Sequence, residues 1–133
     1  MKLLVACPSR DRSGSAIRMS KSFLDTSTVA NLVFYIDRDQ YYQYGDDFDR
    51  AGAQRTGRIQ IEGGERIGPV NAASKLCEKY DADIFAFVPD DCTFKTPGWD
   101  EYAIELAESM PGKLCVISPA HPFGDHIDIP FVT

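Results

Sequence analysis

At 133 residues the chain suits one hydrophobic core and is too short for two ordinary domains. A net charge of −6 and a pI near 4.8 argue against a general nucleic-acid binder, which needs a basic face to displace counterions. No apolar run reaches the length of a membrane span, and "KLLVACPSR" after Met1 is too short for a signal-peptide core, so a cytoplasmic protein is expected.

Short apolar runs alternate with helical patterns along the chain. Leu3 to Cys7 reads as a buried strand ended by Pro8, followed by a helix with Ser13 or Ser15 as cap and Ile17, Phe23 and Leu24 behind it. Leu32 to Ile36 is a second strand, ended by Asp37-Arg38-Asp39. Tyr41, Tyr44, Phe48 and Ala51 then recur at helical spacing. Ile59 to Ile61 is a short third strand before Gly63-Gly64. From Gly68, the residues Val70, Ala73, Leu76, Cys77 and Tyr80 predict one helical face.

"DIFAFV" is the fourth strand. Trp99, Tyr102, Ala103, Leu106 and Met110 mark a further helix entered through Pro97-Gly98, and Leu114 to Ile117 is a fifth strand. The last fifteen residues, "PAHPFGDHIDIPFVT", lack a helical pattern and read as a loop ending in an edge strand. Continuously apolar strands separated by helices predict an α/β fold, a three-layer Rossmann-like, mostly parallel sheet with helices on both faces. The four cysteines (Cys7, Cys77, Cys92, Cys115) have no CxxC spacing and read as reduced, mostly buried thiols. In a parallel sheet Cys7 and Cys92 both fall just beyond strand ends, and so near each other.

The fourth strand runs straight into Asp90-Asp91, and packing gives a buried strand no reason to end in paired negative charge. Ligands of open parallel sheets bind at the carboxyl ends of strands, where the winding reverses. Pro8-Ser9-Arg10 and Asp37 also stand at such ends, and they converge with the pair if the first and fourth strands are neighbours. A divalent cation, Mn²⁺ or Mg²⁺, is the guest that suits carboxylate oxygens there. Spacing alone fits the start of a solvated turn equally well. Trp99 fits a core position, Asp37 a helix cap, and Arg66 a surface charge beside Glu65. Neither a G-x-S-x-G elbow nor a G-x-G-x-x-G fingerprint is present.

The segment "FVPDDCTFKTPGWDE" resembles the metal-binding segment of GT-A type nucleotide-sugar glycosyltransferases. It is most similar to the small glycosyltransferase-like proteins often encoded by bacteriophages and actinobacteria. "LLVACPSRDR", "YIDRD" and "GERIGPVNAASKL" match that pattern in order and approximate spacing, over nearly the whole chain.

The resemblance implies a metal-dependent transfer of a sugar from a nucleotide-diphosphate sugar to an unknown acceptor. Pro8, Ser9 and Arg10 would line the nucleoside pocket, and Asp37 would read the base edge. Arg66 and Asn71 would approach the ribose or diphosphate, Asp90 the ribose or metal shell, and Asp91 would ligate the metal. Trp99 would pack under the turn or face the acceptor. The pair is D-D-C where the family has Asp-x-Asp, and the family's acceptor-binding half follows about where "DIPFVT" stands. The expectation is therefore one donor-binding domain over 1–133 with the acceptor half short or missing. Asp125 and Asp128 are the candidate bases, and His126 is a candidate metal ligand. A non-catalytic nucleotide- and metal-binding module, or a phage assembly protein reusing the fold, are the alternatives. A homo-oligomer would let a partner chain complete the cleft.

Overall fold

A computed structural model describes residues 1–110, together with the backbone of four short strands between 116 and 132. In chain order these are β1 (Leu3–Ser9), α1 (Ser13–Thr26), β2 (Asn31–Asp37), a single 3-10 turn (Arg38–Gln40) and α2 (Tyr41–Ala51). Then come β3 (Ile59–Gly64), α3 (Pro69–Lys79), β4 (Ile84–Phe87) and α4 (Trp99–Ser109). The last strands are β5 (Val116–Ile117), β6 (Ala120–His121), β7 (Gly124–Ile127) and β8 (Phe131–Val132).

The main sheet has the order β3-β2-β1-β4-β8-β5, with β1 to β4 parallel and β8 antiparallel to both its neighbours. The expected α/β sheet is observed. Its reason is the two-faced burial of the strands. Leu3, Val5, Cys7, Leu32, Phe34 and Ile36 pack in one cluster with residues of α1, α2 and α4. The alternating Leu4, Ala6, Val33 and Tyr35 pack on the other face with Ala72 and Leu76 of α3. After β3 the chain crosses back over β1 to form β4, so the winding reverses between β1 and β4.

Several sequence expectations shift. The end of the chain does not finish at an edge: β8 lies between β4 and β5, and β6 pairs with β7 in a separate ribbon. Segments of two residues are too short to display the alternation that reveals a strand. Of the expected fifth strand, Val116–Ile117 is β5, while residues 111–115, with Cys115, lie outside the described residues. Neither Ser13 nor Ser15 caps α1; Arg12 takes the cap position, and the Ser13 hydroxyl donates to Asp47 of α2 at 2.6 Å. Ala51, expected on the buried face of α2, is exposed. Val70 is 78% exposed, because the first turn of α3 overhangs a crevice rather than the sheet.

On α4, Tyr102 and Met110 are exposed and the buried face is Asp100, Ala103 and Ala107. Asp100 turns the helix that way. Fully buried, it accepts the backbone N–H groups of Thr28, Val29 and Ala30 at 2.9, 2.8 and 2.9 Å. Beside it the Trp99 indole N–H donates to Thr26 Oγ1, and the Gly98 N–H to the Thr26 carbonyl. Gly98, at φ 78°, occupies a left-handed conformation that suits glycine. Burial by itself raises the Asp100 carboxyl, but these three N–H donors and the backbone of Glu101 more than offset it and hold it below its ordinary value.

Asp100→Ala should therefore lower stability by roughly 2–4 kcal/mol at neutral pH, because several N–H donors lose their acceptor. A group depressed in the folded state contributes fully above its unfolded value near ~3.9 and loses that contribution as pH falls through the folded value. Urea unfolding between neutral and strongly acid pH should accordingly show a smaller acid loss in Asp100→Ala than in the natural chain.

Candidate functional site

The carboxyl ends of β1 and β4 meet the start of α3 around a crevice of about 550 Å³. Pro8 and Phe87 form its floor, Pro69, Val70 and Ser74 one wall, and Pro89 and Asp90 the other. The ladder holds β4 there, since the Val88 N–H still donates to the Ala6 carbonyl at 3.3 Å. A smaller depression of about 200 Å³ lies at the opposite ends of the strands, beside Lys2, Asn31 and Arg58. It lacks the convergence of strand ends that marks a ligand site in an open sheet.

Asp90 is 6% exposed and bonded through both oxygens. The Ser9 hydroxyl donates to Oδ2 at 2.8 Å, and Arg12 Nη1 donates to Oδ1 at 3.3 Å. Behind Ser9 stands the Tyr44 hydroxyl, 2.8 Å away, which also accepts the Arg12 backbone N–H at 3.0 Å. Burial pushes the Tyr44 hydroxyl above its ordinary value, with its hydrogen bonds to Ser9 and the Arg12 backbone offsetting only part, so it stays protonated.

Asp91 differs in every respect. It is exposed and, among the described residues, has neither a hydrogen-bond nor an ion-pair partner. The turn that presents it is closed by the Cys92 N–H on the Pro89 carbonyl at 3.2 Å. Two residues on, Phe94 is buried, its N–H on Ser22 Oγ at 3.0 Å and its ring stacked on Trp99 at 4.7 Å. Trp99 thus packs under the loop, against Phe94 and Phe23. Cys92 packs against the cluster that contains Cys7, as the parallel arrangement implied. Burial, then Asp90, Cys92 and Asp91, push the Cys7 thiol well up, which disfavours a thiolate there.

Arg10 ties the end of β1 to the end of β2. Its Nη1 donates to Asp37 at 2.8 Å, and Nη1 and Nη2 grip Asp39 at 2.9 Å each. Hydrogen bonding to Arg10 holds the Asp39 carboxyl below its ordinary value, and the same contacts raise Arg10. Asp37 therefore does not cap the following turn; its oxygen is turned to Arg10. Gln40 bonds Asp11, and Asp11 lies at φ 58°, a left-handed position that aspartate tolerates.

Arg66 follows β3 in an exposed loop and makes no ion pair among the described residues, though it lies near enough to Asp39 to help lower that carboxyl. The loop is held by the Tyr35 hydroxyl on the Glu65 carbonyl at 2.8 Å. Gly64 makes that approach possible, since a Cβ there would sit 2.1 Å from the Tyr35 hydroxyl. Asn71 Nδ2 donates to the Ile67 carbonyl at 2.9 Å and so shapes the start of α3.

Of the residues expected at the site, Ser9 and Asp90 are bonded to each other, as are Arg10 and Asp37. Pro8 and Asp90 share the crevice, and Arg66 and Asn71 flank the start of α3. Asp125 and His126 fall on β7 and Asp128 beyond it, and their side chains lie outside the described residues. Sequence reading missed Arg12, Asp39 and Tyr44. The first two stood unassigned in "SRDR" and "YIDRD"; Tyr44 was read only as a core ring, and helical spacing carries no sign of where a hydroxyl points.

Among the described residues no three potential ligands gather to hold a metal by themselves. One free carboxylate beside a second, anchored one nevertheless fits a hard cation that draws the rest of its shell from phosphate and water.

No protein-family model matches the chain, and no curated protein matches it. Solved structures do match in fold. A mannosyltransferase from Pyrobaculum calidifontis, solved in complex with GDP-Man and Mn²⁺, superposes with TM-score 0.74 at 10% identity over 98% of this chain. The Staphylococcus aureus TarS 1–349 structure gives 0.61 at 16% identity over 81%. Apo-form glycosyltransferase GlyE from Streptococcus pneumoniae gives 0.55 at 12% identity over 99%. The chain spans 44%, 33% and 34% of the lengths of those three chains. At such identities the likeness is one of fold: the chain has the Rossmann-like α/β fold of GT-A type glycosyltransferases.

Proposed function

We propose that the chain binds the donor of a metal-dependent glycosyltransferase, which moves a sugar from a nucleotide-diphosphate sugar to an acceptor. The observation that carries this reading is Asp91, an exposed carboxylate without a partner among the described residues, next in the chain to Asp90 of the crevice. Among the described residues nothing in the packing uses that charge. A Mn²⁺ or Mg²⁺ ion held by Asp91 would act as a Lewis acid on the departing nucleoside diphosphate.

The other roles belong to the chain itself. Pro8, Ser9 and Arg10 line the nucleoside side, with Arg10 fixing the orientation of Asp37 toward the base. Arg66, unengaged among the described residues, is free to meet the diphosphate, and Asn71 keeps the start of α3 in place beside it. Asp125 and Asp128 are the candidate bases for the acceptor hydroxyl, and His126 is a further candidate ligand. A second reading is a nucleotide- and metal-binding module without turnover, which calls on Asp91 and the nucleoside side alone.

Melting curves with UDP or GDP, with and without Mn²⁺, test the site. Ligand at about 100 times its Kd should add roughly 2.7 kcal/mol, on the order of 10 °C for a chain of this size. Asp91→Ala should remove the Mn²⁺-dependent part of that shift; an unchanged shift takes the metal role away from Asp91. Release of nucleoside diphosphate from UDP- or GDP-sugars separates transfer from binding alone.

Arg10→Gln should return the Asp39 carboxyl upward toward its ordinary value, as followed by NMR titration, since the Arg10 hydrogen bonds that lower it are gone. The same variant should weaken nucleotide binding through the freed Asp37. Unchanged nucleotide affinity would remove Asp37 from base recognition.

A further inference from the structure

Around Asp90 the hydrogen bonds close into a ring that passes twice through one residue. The Arg12 backbone N–H donates to the Tyr44 hydroxyl, Tyr44 meets Ser9, Ser9 donates to Asp90 Oδ2, and Arg12 Nη1 returns to Asp90 Oδ1. Only one sense of donation satisfies it. A backbone N–H and a guanidinium can only donate, and a carboxylate can only accept. The single proton of Ser9 is therefore committed to Asp90, which leaves Tyr44 to donate to Ser9 and to accept from Arg12. No member can rotate to an alternative partner without leaving another unsatisfied.

We propose that Tyr44 and Arg12 are positioning residues for the acidic pair: by closing this ring they fix both oxygens of Asp90, and through the Pro89–Cys92 turn they aim the Asp91 carboxylate at the cation. The proposal rests on the reading of Asp91 as the metal ligand and deepens it. Two observations support it. Tyr44 sits on α2 among apolar neighbours such as Phe48, yet its hydroxyl is delivered to the end of β1 rather than to solvent. Arg12, whose side chain is 58% exposed, needs no ion pair for solubility but spends its charge on a carboxylate only 8% exposed. The bond from the Cys92 N–H to the Pro89 carbonyl closes a turn over both aspartates, so anchoring Asp90 holds the backbone that carries Asp91.

Calorimetric titration of UDP and GDP, with and without Mn²⁺, reads the effect as the ratio of the two Kd values. Tyr44→Phe keeps the ring that packs on Phe48 and removes the hydroxyl. It should cut the Mn²⁺ enhancement about tenfold while leaving metal-free affinity within about twofold. Hydrogen exchange at the Cys92 amide, which closes the turn, should quicken by a similar factor in the metal-free protein. A residue that merely supports the fold would shift the melting temperature and leave the ratio unchanged.

Arg12→Ala, at a largely exposed side chain, provides the same test should Tyr44→Phe fail to fold, and Arg12→Lys should restore most of the enhancement by keeping a donor on Asp90. An unchanged ratio in Arg12→Ala, together with an unchanged ratio or failure to fold in Tyr44→Phe, overturns the proposal while the metal role of Asp91 stands. No Mn²⁺ enhancement in the natural chain overturns both.

Discussion

The pairing of β1 with β4 decides where the polar groups of this protein end up. Those strands are neighbours in space although two other strands and three helices separate them in sequence. Their register sets Ala6 beside Phe87, so the two chains leave the sheet at almost the same height. Beyond that point the ladder has one more bond, from Val88, and then the backbone diverges. Ser9 and Asp90 are the first polar side chains past the divergence. Their hydrogen bond replaces the ladder that has just ended, which explains why a carboxylate can be buried there at tolerable cost.

Past that bond, the segment from Val88 to Trp99 has little regular structure but is not loosely held. Asp90 anchors its start, Phe94 is locked into an aromatic trio with Phe23 and Trp99, and Asp100 fixes its end to the start of β2. Two buried aspartates thus bracket a loop whose start, directly after the first, carries one exposed aspartate. The same side chain type does opposite work according to its partners: Asp100 and Asp90 satisfy donors inside the protein, and Asp91 is left to satisfy something else. A loop fixed at three points can present a charge with little entropy left to lose on binding, the condition under which fixed dipoles and ions act most strongly on a reacting group.

The sheet, its helices and the position of the acidic pair were legible because they depend on patterns of period 2 and 3.6, which apolar residues write directly into the sequence. What was not legible depends on direction rather than period. Val70 fits the helical stripe perfectly well, yet α3 starts before the sheet begins beneath it, and no local pattern encodes that offset. Asp100 looked like an ordinary charge in the first turn of a helix; its three N–H partners lie about seventy residues earlier, at a loop only the fold brings near. Tyr44 was placed in the core correctly and understood incompletely, because its ring belongs to the core and its hydroxyl to the site. The order β4-β8-β5 could not have been read from strands of two residues, which are too short to show any alternation.

Electrostatics adds a constraint that the shape of the crevice does not. Around the strand ends stand the carboxylates of Asp11, Asp37, Asp39, Asp90 and Asp91, against the cations Arg10, Arg12, Arg38 and Arg66. Arg10 is fully occupied by its acidic neighbours and Arg12 shares its charge with Asp90, so a diphosphate arriving alone meets an excess of negative charge. On the proposed reading, a dication is then not an accessory to an already favourable anion site. It inverts the sign of the local field, and the nucleotide and the metal must bind as mutually dependent partners. On the same reading, an acidic surface that repels polyanions in general would still admit a donor arriving with its own cation, because Asp91, unpaired among the described residues, follows β4.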